Sequence, residues 1–113
     1  MSSSSSQNND TTVTTKWGTV ILLKDDNYAT WRNSVQLTLT SANAWSIVTG
    51  NEQPPHLANQ LEYYDKRKTI AMQIINMSLY SMHYHLVVPF ATERDPEGAY
   101  DELRKLNQAN NPI

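Results

Sequence analysis

Residues 25–31 read DDNYATW, one polar turn after the apolar run WGTVILL at 17–23. Asp25, Asp26 and Asn27 are residue types that cap helix N-termini, and acids there suit the positive end of the helix dipole. From that point Tyr28, Trp31, Val35, Leu39 and Ala42 recur at intervals of three and four. This spacing lays one apolar stripe along a helix of about 27–41. SANAW (41–45) weakens the helix, and a short second turn with Trp45, Ile47 and Val48 ends at Gly50, a fitting residue just past a helix C-terminus.

Upstream, the β-branched WGTVILL reads as a short extended segment. No second strong strand stands nearby to pair with it, so the expectation is an isolated arm packed on helices. Residues 1–16 hold mainly Ser, Thr, Asn and Gln with little to bury, and are expected to form a disordered tail.

Downstream, NEQPP (51–55) is a loop that separates two helices. Leu57, Leu61, Tyr64, Ala71, Ile75 and Leu79 mark the apolar face of a long helix over about 56–80. KRK (66–68) interrupts that face, with stems expected to pack and charged heads to reach solvent. MHYHLVV (82–88) reads either as one more short helix or as an extended link, closed by Pro89. In ATERDPEGAYDEL, Asp95 is a cap, Pro96 takes the first helical position and Glu97 follows in the first turn. Tyr100, Leu103 and Leu106 give that last helix an inward face to about Asn107, and 108–113 is expected to fray. The expected fold class is all-α: four or five helices over 17–107 with a short extended N-terminal arm.

Of the 113 residues, 39% are hydrophobic and 18% charged, which suits one globular domain. The net charge of −2 arises wholly in 80–113 and argues against a nucleic-acid footprint. Absence of cysteine excludes disulfides, thiolate chemistry and zinc knuckles within these residues. No secretory signal or membrane span is legible, so a cytoplasmic, intracellular protein is expected.

Candidates for chemistry are few. Adjacent Asp25 and Asp26 point apart and do not make an acid/base pair. His83 and His85 would share a face only in an extended segment, and no further ligand lies near them. There is no nucleophile elbow, Gly-rich loop or phosphate-binding motif. Helical spacing makes the aromatics core residues before it makes them base-stacking platforms. No catalytic, cofactor-binding or metal-binding set is therefore expected, and the chain is read as a non-enzyme.

The run VILLKDDNYATWRNSVQLTLTSANAWSIVTG resembles the N-terminal region of copia-type LTR retrotransposon Gag polyproteins. That family has an apolar segment, then Leu, a spacer, Asn-Tyr, two residues and Trp, then a second Trp and a Gly; here these are Leu23, Asn27, Tyr28, Trp31, Trp45 and Gly50. A second block matches at Tyr64, Ala71, Ile75, Ser78 and Leu79. A third matches at Ala99, Tyr100, Asp101 and Leu103. Tyr64 and Tyr100 depart from the family, in which Trp is common at both places. The resemblance implies a helical, capsid-like domain that self-associates into a particle shell, with no covalent chemistry and no small-molecule substrate. RNA would be engaged only indirectly or through regions downstream. On this resemblance the chain corresponds to the first part of a shell domain, as a fragment, truncated copy or derived host gene. The alternative is a stand-alone helical adaptor domain that binds another protein.

Overall fold

The described residues open with a hairpin, in place of the isolated arm that the sequence suggests. In the computed structural model, which describes residues 11–110, β1 (Thr12–Thr15) and β2 (Gly18–Ile21) pair antiparallel, with Val13 opposite Val20. Thr15 builds the turn: its hydroxyl accepts from the Trp17 and Gly18 amides at 3.1 Å each and donates to the Gly18 carbonyl at 2.7 Å. Thr12–Thr15 therefore does not belong to a disordered tail. The TVTT run is β-branched, a strand signal that its polarity masked. The remainder of that expected tail, 1–10, lies outside the described residues, as does 111–113 of the expected frayed end.

A two-stranded ribbon is marginal alone; this one lies on α1 (Tyr28–Ser41). Val20 enters the core, and the Ile21 amide donates to the Ser34 hydroxyl of α1 at 3.0 Å. Beyond β2, Leu23 forms a single parallel bridge with Leu79. Asn27 stands at the start of α1 but makes no side-chain cap. Its Oδ1 accepts from the Lys24 amide at 2.7 Å and its amide group donates to the Leu22 carbonyl at 3.1 Å. The residue thus pins the turn that delivers the chain into the helix, a stronger local demand than capping.

α1 ends where Asn43 adopts a left-handed conformation (φ 60°), and the Ala44 amide reaches back to the Leu39 carbonyl at 2.8 Å. α2 (Trp45–Val48) follows, and Gly50, at φ 79°, closes it in the role its position suggested.

α3 (Ala58–Met77) buries Tyr64, Ala71, Met72, Ile74 and Ile75. Its first turns stand clear of the core: every residue from Leu57 to Tyr63 is exposed. Leu57 and Leu61 are consequently not on the inward face where periodicity put them.

α4 (Ser81–Thr92) settles the 82–88 ambiguity as a helix, and it runs through Pro89. Pro89 is exposed. α5 (Pro96–Asn110) starts as its sequence indicates, with the Asp95 carboxylate accepting from the Gly98 amide at 3.1 Å. Among the described residues the protein is thus mostly helical, five helices around one core, with a small two-stranded sheet added.

Candidate functional site

The three blocks singled out in the sequence meet in one place. Trp31, with no exposed surface, is flanked by Tyr28 (ring centroids 5.6 Å apart) and stacked on Tyr100 at 6.1 Å, while Trp45 meets Tyr100 edge-on at 5.6 Å. The backbone of the second block supplies the polar partner for this aromatic centre. The Ser78 carbonyl accepts from the Trp31 indole N–H at 3.1 Å and from the Leu23 amide at 2.9 Å. An indole buried without such an acceptor would carry a desolvation cost, so position 78 and Trp31 are coupled through backbone geometry.

Leu23, Ala71, Ile75, Leu79 and Leu103 pack into the same core. Tyr64 is buried on α3, and Gly50 occupies the loop after α2, where an added Cβ would come within 2.5 Å of a Glu97 carboxylate oxygen. Tyr28 is only half-buried, though its hydroxyl is sealed from water and has no hydrogen-bond partner among the described residues. Burial, reinforced by the nearby Tyr100 hydroxyl, pushes the Tyr28 phenol up to about 12. The Tyr100 hydroxyl in turn accepts from Arg32 Nε at 3.0 Å.

Of the KRK triplet, Arg67 departs from the expected solvent-facing head. Its side chain is 12% exposed and clamps Glu52 with both terminal nitrogens, Nη1 also donating to the Asn43 carbonyl at 2.8 Å. The guanidinium lies over the Tyr63 ring at 4.6 Å and holds the Glu52 carboxyl below its ordinary range. Arg67 thereby ties the 51–53 loop and the α1–α2 turn to α3. Nothing in the spacing of KRK distinguished it from its neighbours; only the fold brings Glu52 to it.

In helical form His83 and His85 face apart, one buried and the other exposed. His83 Nε2 lies 3.9 Å from an Asp25 carboxylate oxygen. Among the described residues no three His, Cys, Asp or Glu side chains are grouped to hold a metal. No described helix is long and apolar enough to cross a membrane.

Two surface features remain, and periodicity pointed to neither. An open groove of about 860 Å³ runs along the outward face of α3, flanked by Lys16 and Trp17 of the hairpin turn and by Arg94. Its floor mixes Leu61 and Ile70 with Glu62, Asp65 and Lys66. The outward face of α4 differs: Tyr84 (43% exposed) and Val88 (38%) stand one turn apart beside exposed His85, Pro89 and Thr92. No Asp, Glu, Lys or Arg occurs anywhere in α4.

No family model, no curated protein and no solved structure matches this chain.

Proposed function

We propose that this chain is a non-enzymatic structural protein, a capsid-like Gag domain of the copia type that acts by self-association. One observation carries the reading. The three sequence blocks that resemble that family, separated by tens of residues, converge on a single centre in which Trp31, Trp45 and Tyr100 pack together and the Ser78 carbonyl receives Trp31 and Leu23. Residues that resemble a family signature and also anchor one core are what a fold-defining signature requires.

Trp31 and Tyr100 are buried and Tyr28 and Trp45 partly so, which gives these aromatics packing duty. Sedimentation velocity on the full chain, across a concentration series spanning about three decades around the micromolar range, tests the proposal. Self-association raises the mean mass with concentration, and a constant monomer mass would refute it. The open groove on α3 favours a second reading, a domain that receives another protein in that groove; a monomer at every concentration is the outcome that reading requires.

A further inference from the structure

We propose that the outward face of α4, centred on Tyr84 and Val88, is the surface through which two copies of this chain pair by two-fold symmetry. The inference rests on the self-association reading and specifies where that association occurs.

In a two-fold contact the same patch is presented by both copies, so any charge near the axis meets its own image at short range. Such a patch must therefore be neutral at its centre, or carry opposite charges at symmetry-matched places. α4 meets the first condition: of the described helices longer than one turn, it alone lacks Asp, Glu, Lys and Arg.

Composition points the same way. Interface centres are depleted in charge and enriched in aromatic residues, and here a tyrosine and a valine at i and i+4 share one exposed strip. Pro89 adds a further trait. Exposed beside Tyr84 and Val88, it extends the uncharged strip and, lacking an N–H, cannot give the His85 carbonyl its usual helical hydrogen bond.

The groove on α3 is the poorer choice for a second copy. Its floor holds Glu62 and Asp65 one turn apart, and a symmetric contact would bring these acids against their own images. The exposed strip Leu57–Tyr63 is apolar in part, yet it carries Glu62, which a two-fold contact would set against its own image. α4 has 12 residues, so its face is about 18 Å long. A pair built on it alone is a small, weak contact of the transient class, the kind that becomes effective when many copies are arrayed.

Two double variants of the full chain test this. Tyr84→Lys with Val88→Lys makes the strip cationic, and Tyr84→Glu with Val88→Glu makes it anionic. Both positions are exposed, and circular dichroism with thermal melts checks that each variant folds. By sedimentation, each variant alone should show a dissociation constant raised on the order of tenfold or more, because like charges are brought together. An equimolar mixture of the two should regain association at low salt, because every register of a symmetric contact then sets cations against acids. If both variants associate as the parent does, the α4 interface is wrong while self-association stands. A mixture that fails to regain association overturns the symmetric pairing. A parent chain that stays monomeric throughout overturns this inference and the proposed function together.

Discussion

Trp31→Ala is the substitution that most directly interrogates the core. The indole is fully buried, stacks on Tyr100 at 6.1 Å, meets Tyr28 at 5.6 Å and donates to the Ser78 carbonyl at 3.1 Å. Truncating a buried Trp costs about 3–5 kcal/mol through lost transfer energy and the cavity that remains. A domain of this size has a total stability of about 5–15 kcal/mol, so the loss is a large share of it. One kcal/mol shifts the melting temperature of such a domain by about 4–8 °C, which places the expected fall at or above about 12 °C.

Urea denaturation followed by circular dichroism gives the free energy directly, and Trp31→Phe separates the components. Phe keeps most of the ring contact and loses the N–H donor. The Ser78 carbonyl still receives the Leu23 amide at 2.9 Å, so it is not orphaned. Trp31→Phe should therefore cost roughly half as much as Trp31→Ala, about 1–3 kcal/mol. Equal stability of parent and Trp31→Ala would refute the claim that the three blocks are locked together at this residue.

Three further outcomes follow from individual contacts. Glu52, held below its ordinary range by Arg67, binds its proton at lower pH in the folded chain than in the unfolded one. Its contribution is present above about pH 4.3 and is lost as the pH falls through the lower folded value, so Glu52→Gln should show a shallower loss of stability on acidification in denaturation series. The Tyr28 phenol, pushed up to about 12 mainly by burial, stays neutral in the fold after unfolded tyrosines have ionised. Its contribution is complete below about pH 10 and lost as the pH climbs towards the folded value; Tyr28→Phe should flatten that alkaline loss and remove the latest phase of the ultraviolet tyrosine titration. Pro89→Ala restores a helical donor to an exposed site in α4. It should stabilise the domain by about 2 kcal/mol after the greater freedom of the unfolded chain is counted, and an unchanged urea midpoint would contradict that account.

Elements whose apolar residues repeat at helical spacing were legible in the chain. α1 lies where Tyr28, Trp31, Val35 and Leu39 placed it, and α5 begins at the Asp95-Pro96-Glu97 signal. Local chemistry suffices there, because caps, proline and periodicity act within a few residues of one another. The hairpin was not legible, because TVTT acquires a structural role only when GTVI folds back on it and Ser34 of α1 fixes the pair. Asn27 shows the same limit: the residue type allows a cap, and the turn from Leu22 to Lys24 takes its side chain instead.

What the sequence by itself determined is the long helices α1, α3 and α5 and the inward placement of Trp31, Tyr64 and Tyr100, since both depend on periodicity along one segment; the 82–88 stretch, open between helix and link in the sequence, became α4 only in the fold. What only the tertiary structure decided is which segments meet. Spacing could not show that the carbonyl of Ser78 would receive Trp31, 47 positions away, or that Arg67 would turn from solvent to Glu52, 15 positions away. It also could not separate Leu61 from Tyr64, which lie on the same helix three positions apart. Periodicity records what a segment can bury, whereas burial depends on where neighbouring elements end, and α3 outruns its neighbours at its N-terminal end.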